Sequence, residues 1–293
     1  MSAAPTIVTP ATLRTWALPA AGSGKGSRGE VVVVGGSCGT PGAVLLAGES
    51  ALRAGAGKLA IATVGDVGPA LAVAVPEAMV LALPRTDDGD ISVGCLPVVQ
   101  SRLESADVVV AGPGFASADG AVEVLAEMLP HVTGALVLDA IGSAFLTQHP
   151  DGLHHLEGRG VLTVNPTELA LTAGCEAEEV EDDPLGPASR VAKRSNVVVL
   201  LGGSTKHVVT PDGRSWTVEG GGPGLGVSGS GDAQAGIVGG LVARGAEPAQ
   251  AAVWGAYLHA RAGERLAAEV GVLGYLAREI PPHVPRILVE LLA

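Results

Sequence analysis

Short runs of β-branched and other apolar residues alternate along this chain with longer segments rich in alanine and leucine. The short runs predict strands that are buried on both faces of a parallel sheet. They cover residues 30–34, 58–63, 107–111, 135–139, 161–163 and 196–201. Two further runs, 206–210 and 214–218, flank a PDG turn and predict a hairpin. The pattern predicts an α/β fold, a three-layer αβα sandwich with a mostly parallel central sheet.

The longer segments predict helices. The clearest cover residues 41–54, 67–74, 232–244 and a long alanine-rich stretch that begins at Pro248. In that last helix Trp254, Tyr257 and His259 have apolar neighbours, so we expect them to pack in the core or in an interface. Residues 1–29 are rich in proline, serine and glycine. We therefore expect residues 1–24 to be an irregular leader to a single domain that spans 1–293.

A glycine-rich loop at 220–231 precedes the predicted helix that starts near Asp232. Seven of its residues are glycine, which leaves backbone N–H groups accessible. The helix would direct its own unsatisfied N–H groups and its positive dipole end at the same point. We predict an anion hole at Gly229, Ser230 and Gly231, with Asp232 as a base beside it, an arrangement that suits phosphoryl transfer. The alternative is a simple capped helix, but seven glycines exceed what one cap requires.

Composition narrows the possible partners. Hydrophobic residues make up 47% of the chain and charged residues 16%, which is enough for a large core. The net charge of −12 argues against nucleic acid and anionic membranes as partners. The three cysteines form no CxxC pair, and the start of the chain lacks the pattern of a secretory signal. We therefore expect reduced thiols and a cytoplasmic location.

Two motifs resemble those of a known family. GGPGLGVSGSGDAQAG is similar to the NGNPGMATGGTGDVLAG signature of the ADP/ATP-dependent NAD(P)H-hydrate dehydratases, a branch of the ribokinase-like superfamily. GGSCGTPGAVLLAGESALRAGAGK at 35–58 resembles the family's GGSxxYxGAxxLAAxAALRxGAGL. The resemblance runs from about Lys25 to Ile280. It implies a ribokinase-like sandwich that repairs hydrated NADH or NADPH: ADP or ATP phosphorylates the ring hydroxyl, and phosphate is then eliminated.

The resemblance also implies roles for particular residues. Asp232 would be the catalytic base. Residues facing the hydrated dinucleotide would be Ala43, Gly114, Asn165 and Asp232. Residues facing the nucleotide would be Leu201, Gly202, Gly203, Ser204, Thr205 and Gly231. The Asn165-x-x-Glu168 pattern resembles an NxxE motif in which the glutamate organises Mg²⁺ through water. The alternative is that Asn165 and Pro166 only begin a helix and Glu168 favours its dipole.

Three departures from the family pattern leave the function open. Leu201 stands where the family has a lysine near the nucleotide phosphates, Asn165 replaces a histidine, and Ile141 replaces a second acid. Lys206 is a nearby cation whose direction the sequence does not reveal. These departures leave two alternative functions open. One is an ATP-dependent kinase of a small metabolite on the same fold, and the other is a catalytically degenerate nucleotide-binding protein. From the family we also expect a homo-oligomer, and from the length no N-terminal epimerase domain.

Overall fold

A ten-stranded sheet forms the centre of the protein, whose computed structural model describes residues 4–20 and 22–292. The strands are β1 (Thr6–Ile7), β2 (Glu30–Val34), β3 (Lys58–Val64), β4 (Ala78–Leu83), β5 (Val108–Ala111), β6 (Ala135–Asp139), β7 (Gly160–Val164), β8 (Val197–Leu201), β9 (Thr205–Val209) and β10 (Ser215–Glu219). Their order across the sheet is β1-β10-β9-β8-β7-β6-β5-β2-β3-β4. Strands β2 to β8 pair in parallel, whereas β9 is antiparallel to both neighbours. The mostly parallel sheet is confirmed.

Helices cover both faces of this sheet. They are α1 (Pro10–Thr15), α2 (Pro41–Ala54), α3 (Gly68–Ala74), α4 (Leu96–Ser105), α5 (Ala118–Met128), α6 (Ala144–Gln148), α7 (Pro166–Ala173), α8 (Ala177–Asp182), α9 (Leu185–Ser195), α10 (Ser230–Ala243), α11 (Pro248–Glu269) and α12 (Val284–Leu292). In β2, Val31 and Val33 face a core layer shared with α2, α10 and α11. Val32 and Val34 face the opposite layer, beneath α4 to α9. Alternate side chains therefore enter two separate cores, as a three-layer sandwich requires. No helix in the described part of the chain is long and apolar enough to cross a membrane.

Helix α10 lies in direct backbone contact with α2. A methyl group placed on Gly236 would overlap the carbonyl oxygen of Ala47, and one on Gly240 would overlap that of Ala51. Gly239 faces Val110 of β5 in the same way. Because these glycines have no side chain, α10 sits against both the sheet and α2, and this contact fixes where its first turn lies.

The expected irregular leader is wrong where β1 and α1 form, at Thr6–Ile7 and Pro10–Thr15. β1 pairs with β10, and α1 begins with a capping box between Thr9 and Thr12. Leu13 is fully buried, and the Trp16 ring stacks on Trp216 with 5.3 Å between centroids. The proline, serine and glycine content predicted irregular structure. The segments that β1 and α1 contact are distant in sequence, so the local sequence does not reveal these contacts. Residues 1–3 and 21 lie outside the described residues.

Trp254 of α11 also holds the N-terminal segment in place. Its indole N–H donates to the carbonyl oxygen of Trp16 at 2.9 Å, and the Gln250 side chain donates to the same oxygen at 3.0 Å. Trp254 is completely buried. It therefore packs inside this chain, as one of the two expected alternatives had it, and offers no surface for an interface.

Replacing Gly240 by alanine is expected to separate α10 from α2. Overpacking against a backbone oxygen costs about 1–3 kcal/mol of unfolding free energy, or more where neither backbone can move. Gly42→Ala is the matched control, because it lies in α2 with nothing within 4 Å of the added methyl group. That change should raise stability by about 0.4–1 kcal/mol. Urea unfolding measures both, and equal effects of the two changes would contradict the packing described.

Truncating Leu13 tests whether the first helix belongs to the fold. Leu13→Ala should lower the free energy of unfolding by about 2–5 kcal/mol, the usual cost of a buried leucine. Leu171→Ala is the control, since Leu171 is 67% exposed on α7. A single cooperative unfolding curve shifted only by the first change is expected. If neither variant shifts the unfolding curve, the first helix does not contribute to the stability of the fold.

Candidate active site

A cavity of about 890 Å³ lies at the carboxyl ends of β6, β7 and β8. Its walls come from the ends of these strands, the turn after β8, the loop 220–229 and the first turn of α10. Ligands of open parallel sheets bind at this edge, and the volume is within the range of small-molecule sites. The structure therefore brings the glycine loop, the Asn165 turn and the residues after β8 into one site.

The glycine loop reaches the cavity through backbone conformations that other residues rarely adopt. Gly220, Gly221 and Gly222 have φ of 108°, 96° and 69°, and Gly229, at the N-cap of α10, has φ of 89°. The helix begins at Ser230, two residues before the predicted start. Glycine permits these left-handed conformations at low cost, which explains the density of glycines in this segment.

The predicted anion hole needs one correction. The Ser230 N–H donates to the carbonyl oxygen of Val227 at 3.1 Å, so it is not available to a ligand. Within the described residues, the N–H groups of Gly229, Gly231 and Asp232 donate to no other backbone or side-chain group. These groups surround the positive end of α10. The free donors are therefore those of Gly229, Gly231 and Asp232, and the Ser230 amide instead closes the turn.

Asp232 has an unusual acidity for an aspartate. Burial, followed by the negative charge of Glu168, raises its pKa to about 6. At neutral pH the carboxylate is still mostly ionised, but it holds a proton more readily than an ordinary aspartate. A carboxylate with a pKa near the working pH suits a general base.

Asp139 lines the cavity, although the sequence did not place it among the site residues. It ends β6 and is only 5% exposed; its Oδ1 accepts a 2.5 Å hydrogen bond from the Thr163 hydroxyl. Its Oδ2 has no hydrogen-bond partner. Burial, followed by the charge of Asp232, raises the pKa of Asp139 to about 8. The available signal was an acid closing the apolar strand ALVLD.

Asn165 and Glu168 form the capping box of α7. The Asn165 N–H donates to Glu168 Oε2, and the Glu168 N–H donates to Asn165 Oδ1, both at 2.9 Å. Both residues thus begin and cap α7, a geometry that is compatible with a metal role for Glu168 as well as with the helix-start alternative. Both also line the cavity, and burial raises the pKa of Glu168. No group of three or more acidic, histidine or cysteine side chains in the described chain is arranged to hold a metal directly.

His259 also lines the cavity. Its Nε2 lies 3.0 Å from both the hydroxyl and the carbonyl oxygen of Ser230. Burial, followed by the nearby charge of Lys206, lowers its pKa well below the usual value, so the ring is neutral. Because a carbonyl oxygen can only accept, Nε2 carries the proton in the tautomer that satisfies it. His259 is buried, as expected, but it also fixes Ser230 at the start of α10.

The residues predicted to face the nucleotide divide into two groups. Gly202, Gly203 and Ser204 line the cavity, but Leu201 and Thr205 are absent from the described residues that do so. Leu201 is 2% exposed and packs in the core layer beneath α7 and α9. The expectation that Leu201 faces the nucleotide is therefore wrong for its side chain. Lys206, the other candidate cation, lines the cavity.

Ala43 and Gly114 lie together at neighbouring strand ends. A methyl group on Gly114 would come within 2.9 Å of the Ala43 Cβ, and the Thr40 hydroxyl donates to the Gly114 carbonyl oxygen at 2.7 Å. Neither is among the described residues that line the cavity. They share its edge of the sheet, beyond β6. Ile141, where a second acid was expected, is also outside the cavity wall and packs against the core beneath α4 to α9.

Comparison with known proteins identifies the family. The family model of NAD(P)H-hydrate dehydratase matches residues 31–286. The chain belongs to this family. The resemblance read from the glycine loop and from residues 35–58 is therefore confirmed.

Individual members of the family are similar over nearly the whole chain. An ADP-dependent (S)-NAD(P)H-hydrate dehydratase of Xanthomonas campestris is 44% identical over 96% of this chain and 95% of that relative. The bifunctional NAD(P)H-hydrate repair enzyme of Escherichia coli is 34% identical over 91% of this chain but only 48% of its own length. The chain thus spans about half of the bifunctional relatives it matches.

Solved structures show the fold. A ribokinase-like superfamily protein from Enterococcus faecalis superposes with a TM-score of 0.82 at 22% identity, covering 98% of this chain and 96% of that one. The ADP/ATP-dependent NAD(P)H-hydrate dehydratase of Bacillus subtilis, co-crystallised with ATP and Mg²⁺, has a TM-score of 0.79 at 24% identity, covering 98% and 99%. The predicted ribokinase-like sandwich is confirmed.

The acidity of Asp139 predicts a pH-dependent stability. Its pKa is about 8 in the folded protein but about 4 in the unfolded chain. Between these values the folded state holds a proton that the unfolded state has lost, so stability falls as pH rises, by up to about 1.4 kcal/mol per pH unit. Asp139→Asn keeps the acceptor for Thr163 and should flatten this decline. Urea unfolding from pH 4.5 to 8 measures it, with exposed Asp182→Asn as control. Parallel curves for wild type and Asp139→Asn would contradict the assignment.

Proposed function

We propose that this protein dehydrates hydrated NADH or NADPH, using ADP or ATP to phosphorylate the ring hydroxyl. The observation that carries the proposal is the first turn of α10. There, three free N–H groups and the carboxylate of Asp232 face one cavity at the sheet edge. Amide donors stabilise a phosphoryl group in transfer, and the carboxylate accepts the hydroxyl proton. Family membership supports the substrate.

The chemistry assigns a role to each side of the cavity. The ring hydroxyl oxygen attacks the terminal phosphorus of the nucleotide, and its proton passes to Asp232. The bond to the bridging oxygen breaks, which releases AMP from ADP or ADP from ATP. The ring phosphate then leaves with its C–O bond electrons while the neighbouring carbon loses a proton. The ring double bond is restored, and the products are inorganic phosphate and NADH or NADPH.

Binding roles follow from position within the proposed reaction. Gly202, Gly203 and Ser204 would contact the nucleotide, because they form the cavity wall after β8. Asn165 and Asp232 would contact the hydrated ring. Ala43 and Gly114 lie beyond this wall, and we assign to them the more distant part of the dinucleotide. The ADP dependence named for the Xanthomonas relative favours ADP as donor.

Mg²⁺ fits this site only through water. The Oε2 of Glu168 is engaged by the Asn165 N–H, which leaves Oε1 to a hydrated ion. The negative charge of Glu168 raises the pKa of Asp232, a repulsion that a divalent cation would relieve. We propose that these two residues hold the ion through its water shell. When bound, it would neutralise charge on the nucleotide phosphates.

We also retain a homo-oligomer in the cytoplasm as a proposal, motivated by the family. Exposed apolar side chains at Val270, Val272 and Leu273 follow α11, and they are better candidates for contact than Trp254. Light scattering at micromolar concentration tests this proposal independently of the activity.

The decisive assay supplies hydrated NADH with ADP or ATP and Mg²⁺ and follows the return of the ultraviolet absorbance of the reduced nicotinamide ring. Recovery of that absorbance, with stoichiometric phosphate release, is the expected result. Nucleotide consumption with a phosphorylated small metabolite and no recovery would instead indicate the kinase alternative. Binding without turnover of any substrate would indicate a degenerate binding protein.

Replacing Asp232 by asparagine tests the proposed base. The change keeps size and hydrogen bonding but removes proton acceptance, so turnover should fall by about 10²–10⁴-fold. ADP affinity measured without Mg²⁺ should stay within a few-fold, because backbone amides, and not this carboxylate, would hold the phosphates. Asp182→Asn, an exposed acid in α8, is the matched control. Retention of more than about a tenth of wild-type turnover would remove the catalytic assignment.

A further inference from the structure

Lys206 is a buried cation without a partner. Its side chain is 3% exposed in β9 and lines the cavity. Across residues 4–20 and 22–292, no carboxylate forms an ion pair with it and no group accepts a hydrogen bond from its ammonium, and burial is the only cause of its lowered pKa. A buried charge without a counterion is costly. An unpaired ammonium in a cavity wall therefore points to a negatively charged ligand.

The direction of the Lys206 side chain follows from the strand register. Lys206 pairs with Val218 of β10, and Val208, two residues later on the same face, pairs with Leu200 of β8. These three valine and leucine side chains lie in the core layer beneath α10 and α11. Leu201 points to the opposite layer. The cation that reaches the α10 side of the sheet therefore comes from β9.

The Lys206 ammonium lies close to a neutral histidine that contacts the start of α10. The charge of Lys206 is one cause of the lowered pKa of His259, so the two side chains are close. His259 in turn contacts Ser230 at the start of α10. The carboxyls of Asp139, Glu168 and Asp232 line the same cavity, but none forms an ion pair with Lys206, whose pKa is lowered by burial to about 8. The ammonium and the free N–H groups of α10 are thus the positive groups that the cavity offers to an anion.

We propose that Lys206 binds the phosphate tail of the nucleotide, so that a lysine on β9 supplies a cation that the buried, apolar Leu201 cannot supply. The inference rests on the proposed nucleotide dependence. Lys206 and the free amides of α10 would approach the phosphates from two sides. Specificity for a diphosphate over a nucleoside would come from this charge.

Binding measurements separate the charge from the rest of the site. ADP, AMP and adenosine are titrated by calorimetry into wild type, Lys206→Met and Lys206→Arg. Lys206→Met should weaken ADP binding by about 10–100-fold, the usual worth of a charge-assisted hydrogen bond. Adenosine binding should change less than about threefold. Lys206→Arg should recover part of the ADP affinity. Lys193→Met removes an exposed lysine from α9 and controls for net charge.

The pH dependence supplies a second readout. The ratio of wild-type to Lys206→Met affinity for ADP should be constant near pH 7 and shrink towards one as pH rises above about 8, when free Lys206 loses its proton. The pKa of Asp139 is also about 8, that of Asp232 is about 6, and burial raises that of Glu168. They are present in both proteins, so the ratio cancels most of their effect. His259 stays neutral throughout.

The outcomes are distinguishable. If wild type binds no ADP or ATP, the proposed function fails. If wild type binds ADP and Lys206→Met binds it equally well, with the same pH profile, the role of Lys206 is overturned. An equal loss of adenosine and ADP affinity would also overturn it, because that pattern indicates a structural role. Lys206→Met should fold, since it replaces a buried ammonium by an apolar side chain of similar length.

Discussion

The contact between α10 and α2 fixes the position of the site. Two glycines of α10, Gly236 and Gly240, rest on backbone oxygens of α2, and Gly239 rests on β5. At this distance the two helix backbones are in van der Waals contact, so α10 cannot shift relative to α2 without a steric overlap. The first turn of α10 is consequently held at the sheet edge, where its free amides and Asp232 meet the ends of β6 and β7. With aromatic residues at only 2% of the chain, small residues bring the elements together.

The cavity separates charge in a way that suits phosphoryl transfer. Three carboxyls, from Asp139, Glu168 and Asp232, lie at the ends of β6 and β7 and the start of α10, and each is less acidic than usual because of burial. Lys206 and the amides of α10 provide the positive part. A phosphoryl group between them would find donors on one side and a proton acceptor on the other. Burial of these ionisable groups lowers the free energy of unfolding, and the packing of the surrounding core offsets this loss.

The Asn165 turn shows that structural and functional readings need not compete. Its capping box with Glu168 satisfies the first turn of α7, and the same two residues line the cavity. The cap fixes both side chains in single orientations. A glutamate held in this way can present its remaining oxygen to the cavity without further ordering, so the helix start itself preorganises the site.

The sequence by itself determined the family, the alternation of strands and helices, and the position of the glycine loop at the start of α10. These features are local: apolar runs of strand length, proline at helix starts, and glycines where φ is positive. Tertiary structure alone decided the rest. The burial of Leu13 and the partners of Trp16 come from distant segments, so the leader looked irregular. Leu201 and Lys206 are close in sequence, and only strand register decides which side chain faces the cavity. Asp139 lines the site because the carboxyl ends of neighbouring parallel strands meet at one edge of the sheet. Its own burial there raises its pKa, and no single stretch of sequence reveals that burial.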